Sequence, residues 1–225
     1  MRPWWFITST LLCLFGLLVF LTFKDQCVTN FLAASGSPRL LRAVVRNKGD
    51  LGRACSRGGA FPVVDAVESG NEATLIYIIS EGANVNVHNR DGSTPLIAAA
   101  EMGRTAMVKL LISAGADVNA VDLTGSSALR YAARTGNYDE SKVLVNAGAD
   151  PNQPTNEGDT PLMVAAEIGK GELVHLLVAH GADRNHRDKR GRRALDYLPP
   201  TASPSLIREL TPESLIDHSE QSHIQ

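Results

Sequence analysis

A period of 33 residues constrains this chain more tightly than any other feature of it. Residues 91–123, 124–156 and 157–189 are three copies of one unit. A weaker copy occupies residues 58–90, and a truncated one begins at Arg190. No insertion or deletion interrupts the frame. Four residue series keep it independently: Gly59, Gly92, Gly125, Gly158 and Gly191; Gly70, Gly103, Gly136 and Gly169; Gly82, Gly115, Gly148 and Gly181; Asn86, Asn119, Asn152 and Asn185. Such a chain stacks one small unit on the next, because no copy can bury its apolar face alone.

Each unit spells out two short helices. Thr94 with Pro95, and Thr160 with Pro161, place a hydroxyl N-cap before a proline at the first helical position. The helix that follows carries a small pair, Ala99 and Ala100, echoed by Ala132 and Ala133 and by Ala165 and Ala166, which lets neighbouring helices approach closely. Gly103 and its equivalents break the chain. A second helix then brings Val108, Leu110 and Leu111 (Val174, Leu176 and Leu177 in a later copy) to one face. Gly115 and its equivalents lie just past that helix, where a left-handed C-cap favours glycine.

These residues closely resemble the ankyrin repeat: the T-P-L start, the A-A pair, the central glycine and the G-A-D-x-N ending are all present, over residues 58–198. The resemblance implies an all-α fold, an ankyrin-repeat solenoid of helix-turn-helix units with β-turn tips. The chain departs from the family in two ways. Ile97, Arg130 and Met163 replace the family's histidine after T-P-L. The middle unit has Ser127 and Ala128 for Thr-Pro and Ser141 where its neighbours have Val108 and Val174, which marks it as the softest of the stack.

The flanks read differently. Residues 4–23 form an uncharged run of 20 residues, about the number a helix needs to cross a hydrocarbon core. This reads as one N-terminal transmembrane helix preceding the solenoid, with a cleaved signal and a buried core helix as the competing readings. Trp4 and Trp5 suit one interface, and Lys24 with Asp25 the other. Residues 1–24 are thus an anchor or uncleaved signal and 25–36 a linker. Residues 37–57 make a degenerate N-terminal capping repeat ahead of the four repeats 58–90, 91–123, 124–156 and 157–189. At the other end, residues 190–210 form a C-terminal capping half-repeat, with a first helix over 192–198 stopped by Pro199 and a second from Ser203 and Pro204 to Leu210. A short helix starting at Thr211 and Pro212, and a flexible tail, complete 211–225. The linker has no positive charge, so the positive-inside rule favours a repeat domain on the extracytoplasmic (periplasmic) side of a single-pass membrane protein. Against this, Arg39, Arg42, Arg46, Lys48, Arg53 and Arg57 form a basic run able to hold a cytoplasmic domain against anionic lipid, although a solvated helix face is the favoured reading of that run. In an oxidising compartment Cys27 and Cys55 are the candidate disulfide; in a reducing one they are small buried side chains.

Chemistry is scarce. A net charge of −2 argues against nucleic-acid binding by bulk charge. No phosphate loop, G-x-S-x-G elbow or H-E-x-x-H pair occurs, and His175, His180 and His186 have no carboxylate or cysteine at ligand spacing. The recurrent Asp and Asn at 117, 119, 150, 152, 183 and 185 suit turn hydrogen bonding better than calcium. The expectation is no catalytic residue, cofactor, metal or small-molecule substrate, and function where the units differ. By resemblance to ankyrin proteins, the turn tips are Arg90, Asp91 and Ser93; Leu123, Thr124 and Ser126; Asn156, Glu157 and Asp159; Lys189, Arg190 and Arg192. The inner-helix variables include Asp65, Glu68, Glu101, Tyr131, Arg134 and Glu167, with Tyr197 at the end. Tyr131, flanked by Arg130 and Arg134, is the leading hot-spot candidate for a protein partner, since Tyr and Arg dominate binding energetics. The short chain, anchor and few repeats resemble exported ankyrin proteins of bacterial envelopes. The function expected is non-catalytic protein binding, with an immunity-type inhibitor of a toxic enzyme or a membrane-tethered cytoplasmic adaptor as alternatives.

Overall fold

The computed structural model describes residues 62–211, which divide into two compact units, one ending at Asn84 and the other beginning at Val85. The boundary falls inside the 58–90 frame. Residues 4–23, the 37–57 cap, the helix expected from Thr211, and Cys27 and Cys55 lie outside the described residues. Among the described residues no helix is long and apolar enough to cross a membrane.

The described part of the first unit is one helical hairpin. Helix α1 (Pro62–Ser69) buries Val63, Val64, Ala66 and Val67, and α2 (Glu72–Ser80) answers with Thr74, Leu75 and Ile78. Asn71 caps α2 by accepting from Thr74 N at 3.0 Å. Burial, and then the nearby charge of Glu68, push the Asp65 carboxyl up to about 6.

The second unit repeats that hairpin. Helices α3 (Pro95–Glu101) and α4 (Thr105–Ser113), α5 (Ala128–Thr135) and α6 (Tyr138–Asn146), and α7 (Pro161–Glu167) and α8 (Gly171–Ala179) fill three successive frames. A 3-10 turn over Ala194–Tyr197 and helix α9 (Pro204–Leu210) close the stack. Every described element is helical, and the tips carry only an isolated bridge, Val121 with Ser127. The N-caps behave as the Thr-Pro pattern requires. Thr94 accepts from Ile97 N at 3.3 Å and Thr160 from Met163 N at 3.4 Å. Ser127 accepts from Arg130 N at 3.3 Å, so losing Thr-Pro does not uncap the middle unit. Helix α4 ends in a Schellman motif: Ala116 N donates to Leu111 O and Gly115 N to Ile112 O, each at 3.0 Å, with Gly115 at φ +85°.

One expected helix is corrected. Residues 192–198 form only the four-residue 3-10 turn. Pro199 disfavours helical geometry at Leu198 and removes the donors that would prolong it, leaving Leu198 at ψ 137°. The second half of that cap does form, as α9, with Ser203 accepting from Leu206 N at 3.3 Å.

Packing gives the stack its curvature. Ala99, Ala100, Ala132, Ala133, Ala165 and Ala166 are all fully buried, so α3, α5, α7 and the 3-10 turn lie close together in one row. The second helices bring larger residues inward, Met107 and Leu111 from α4, Leu144 from α6, Leu173 and Leu177 from α8, and their row is spread wider. A stack tighter on one side than the other bends toward the tight side. The first-helix row therefore lines the concave face of this unit.

Candidate functional site

Three of the recurrent asparagines, Asn86, Asn119 and Asn152, tie the units together through their side-chain amides. Asn119 Nδ2 donates to Gly148 O at 3.0 Å and its Oδ1 accepts from Asp150 N at 2.8 Å. Asn86 makes the same pair with Gly115 and Asp117, and Asn152 with Gly181 and Asp183. Each asparagine thus satisfies two backbone groups of the following repeat, at on the order of 1 kcal/mol per bond. The partner aspartates close local turns, Asp117 Oδ1 accepting from Asn119 N at 3.0 Å and Asp150 Oδ1 from Asn152 N at 2.8 Å. The Asx reading of these positions therefore holds.

The tips are strung along one edge. Leu123 N donates to Asp91 O at 3.0 Å, Asn156 N to Thr124 O at 2.8 Å, and Lys189 N to Glu157 O at 3.0 Å. Asn156 adds a side-chain bond, Nδ2 to Leu123 O at 2.8 Å. This edge requires glycine behind it: a Cβ on Gly125 (φ +79°) would stand 2.9 Å from Asn156 N.

Inside each tip one acceptor organises the turn, and in alternate units it also holds a tyrosine. Asp122 Oδ1 accepts from Thr124 N at 2.8 Å and Ser126 N at 3.0 Å, while Oδ2 accepts from the Tyr131 hydroxyl at 2.8 Å. Sixty-six residues on, Asp188 repeats the arrangement, Oδ1 accepting from Arg190 N and Arg192 N, Oδ2 from the Tyr197 hydroxyl at 2.7 Å and from Arg192 Nε at 2.9 Å. Burial of Asp188 works to raise its pKa, but the Tyr197, Arg192 and Arg190 donors outweigh it and hold the carboxyl at about 2. Asp122 is likewise held below its ordinary value, burial being overcome by the Thr124 and Tyr131 hydroxyls and the tip amides. The Tyr197 hydroxyl also reaches Asp159 Oδ1 at 2.8 Å and receives Arg192 Nη2 at 2.6 Å. One phenolic hydrogen thus faces two carboxylates, and the Arg192 guanidinium, 4.2 Å from the ring centre, offsets their charge.

Residues 63–155 and 129–198 match the family model described as ankyrin repeats, three copies. The chain belongs to the ankyrin-repeat family. Ankyrin repeats make protein–protein contacts, and the family is in general a non-enzymatic binding scaffold. No match was found among curated proteins.

On this ankyrin frame the expected site residues separate into two groups. Tyr131, Asp159, Arg192 and Tyr197 are half-buried and engaged within the tips. Arg130 is half-buried as well, its Nη1 donating to Ser126 Oγ at 3.3 Å. Asn156 is exposed but spends its amide on the edge. Glu101, Arg134, Glu167, Arg90, Leu123 and Lys189 are exposed. Glu101 and Arg134 occupy the same place in adjacent ankyrin repeats and meet at 3.0 Å, with Arg134 lying 4.9 Å from the centre of the Tyr131 ring. Glu167 continues that register one repeat further, without an ion pair among the described residues. The histidines stand apart: His175 Nδ1 lies 2.9 Å from Glu209, His180 Nδ1 2.8 Å from Leu176 O, and His186 Nε2 3.1 Å from Gly158 O.

Four residues escaped the sequence reading, the first being Asp188 at the centre of the last tip. Met102 and Ile168, at the ends of α3 and α7, are exposed apolar side chains at one register position. Glu140 is fully buried, in the slot held by Met107 and Leu173 in adjacent ankyrin repeats. Its signal was in the sequence all along, as a charge at a register position that is otherwise apolar or, in the first unit, Thr74.

Proposed function

We propose that this ankyrin-repeat chain binds another protein without catalysis, through the exposed variable residues of the first-helix row and the tips: Glu101, Arg134 and Glu167 on the helices, Leu123 and Lys189 on the edge. The observation that carries this reading is a division of labour. Residues that repeat in register are spent on caps, turns and cross-repeat bonds, while the exposed residues of this row change from unit to unit. A partner must match an alternating charge register, negative at Glu101, positive at Arg134, negative at Glu167. Because Tyr131 and Tyr197 hold their tips, they support the face more than they offer it. No cofactor, metal or small-molecule substrate enters this reading.

The same proposal includes single-pass anchoring by residues 4–23 with the repeats on the extracytoplasmic side, supported by the uncharged run and the linker free of positive charge. There the partner is an envelope protein, and an inhibitor that blocks a toxic enzyme is one form such binding takes. A cytoplasmic adaptor held through the basic run at 39–57 is the alternative. Alkaline phosphatase fused after Gln225 separates the two: activity supports export, and an inactive fusion favours the tethered adaptor. Partner capture by the full-length chain, compared with R134E and E167K, tests the face. Both variants are expected to keep their thermal transition and lose capture at least tenfold. Capture unchanged in both would remove this row from the binding surface.

A further inference from the structure

Glu140 occupies an anomalous position. Its side chain on α6 is completely buried at the contact with α4. Oε2 accepts from Thr105 Oγ1 of the preceding repeat at 3.0 Å, and Asn137 Nδ2, itself bonded to Thr105 Oγ1 at 3.1 Å, lies 3.5 Å away. Oε1 is buried with no hydrogen-bond partner, and the adjacent Ser141 Oγ is likewise buried and unpartnered, in a slot that holds Val108 and Val174 elsewhere. A buried carboxylate needs a cation or several donors; this one has no cation, and its two donors, one of them long, both fall on Oε2. The charged groups on the surrounding elements and their caps are Arg104 at the N-cap of α4 and Lys109 on it, Arg130 and Arg134 on α5, Asp139 and Lys142 on α6, and Lys170 at the N-cap of α8 with Glu172 and His175 on it. None forms an ion pair with it. Arg134 is committed to Glu101 and His175 to Glu209.

We propose that Glu140 makes the junction between repeats 91–123 and 124–156 a pH-sensitive joint, closed when the buried carboxyl is neutral and loosened when it ionises. Burial, opposed only by the Thr105 bond, pushes this carboxyl up to about 7 from the ordinary 4.5. The direction of the linkage follows. Between those two values the folded chain holds a proton that the unfolded chain has released, so stability is fully present below about 4.5 and lost as pH rises to about 7. The loss falls on the contact between second helices, which sets how the first-helix row of adjacent repeats is angled. Glu101 and Arg134 sit on the two sides of that junction, so the joint changes the spacing of the exposed face near neutral pH.

The test compares the full-length chain, in detergent throughout, with E140Q and with E140M, which restores the residue type of the Met107 slot. Between pH 5 and pH 8 the wild-type melting temperature is expected to fall about 5 °C further than that of either variant, since a few degrees correspond to about 1 kcal/mol in a domain of this size. The contribution of Asp65 is common to all three proteins and cancels. Hydrogen exchange, corrected for its intrinsic pH dependence, is expected to rise about tenfold at pH 8 in wild-type residues 105–113 and 138–146, and to stay at the pH 5 level in E140Q. Parallel melting curves and equal exchange in wild type and E140Q would overturn the proposal. If neither variant folds, the wild-type exchange still decides: a rise confined to those two helices supports the joint, and a flat or uniform response refutes it.

Discussion

The Tyr131 hydroxyl donates to Asp122 Oδ2 at 2.8 Å, nine residues back in the chain and across the foot of a turn tip. The bond holds the start of the concave helix against the tip that Asp122 organises, and Tyr197 with Asp188 reproduces it two repeats on. Ala98 and Val164 occupy the tyrosine's register in units 91–123 and 157–189, paired with Asn89 and Thr155 in place of aspartate. Tyrosine and aspartate therefore occur together or not at all.

Removing that hydroxyl isolates the bond from the ring. Y131F is expected to cost about 1 kcal/mol, a typical net value for one hydrogen bond, read as a lower urea midpoint with the slope unchanged. The bond also has an alkaline signature. Burial, then the Asp122 bond and the charges of Asp122 and Glu101, push the phenol up to about 12, with Arg134 opposing. A folded-state value above the unfolded one means stability is lost as pH rises from about 10 to about 12. Phenolate absorbance of Tyr131, taken as wild type minus Y131F, should therefore appear near pH 12; appearance near pH 10 would show the bond absent in solution.

Asp188 predicts the opposite edge of the pH range. Its folded value of about 2 lies below the ordinary 3.8, so the stabilisation it confers is present above pH 4 and is lost as pH falls to about 2. D188N keeps the size but gives up the charge. Its melting temperature should be lower than wild type at pH 6, with the gap closing by pH 2. A gap independent of pH would mean that the tip depends on shape alone.

Two glycines with similar backbone angles should respond unequally to alanine. Gly115 (φ +85°) has open space where a Cβ would go, so G115A bears only the conformational cost, about 1 kcal/mol. Gly125 (φ +79°) adds a Cβ 2.9 Å from Asn156 N and 3.1 Å from Thr155 C, both backbone atoms that cannot swing aside. G125A should therefore lower the denaturation midpoint at least twice as much as G115A, and equal losses would rule out tight packing along the tip edge.

Much of the scaffold was legible from the residues. The hydroxyl caps at Thr94, Ser127 and Thr160, the left-handed cap at Gly115 and the turn role of Asp117 all follow from local chemistry, which the chain carries wherever it goes. The Glu101–Arg134 pair was also open to reading, because opposite charges one period apart face each other in a stack. The helix expected over 192–198 was read too long: Arg193 is its N-cap and Pro199 holds Leu198 extended, which leaves only Ala194–Tyr197 to turn.

What the sequence alone determined was the period, the two helices per unit and the membership of the ankyrin family, since each rests on residues near one another in the chain. Which variable residues remain exposed was decided only by the tertiary structure. Tyr197, Asp159, Arg192 and Asp188 converge from three separate stretches into one cluster whose polar atoms bond one another, and Glu140 becomes a buried acid only because the neighbouring repeat closes over it. A side chain's exposure and charge depend on what is packed against it, and in a stack that neighbour comes largely from other repeats.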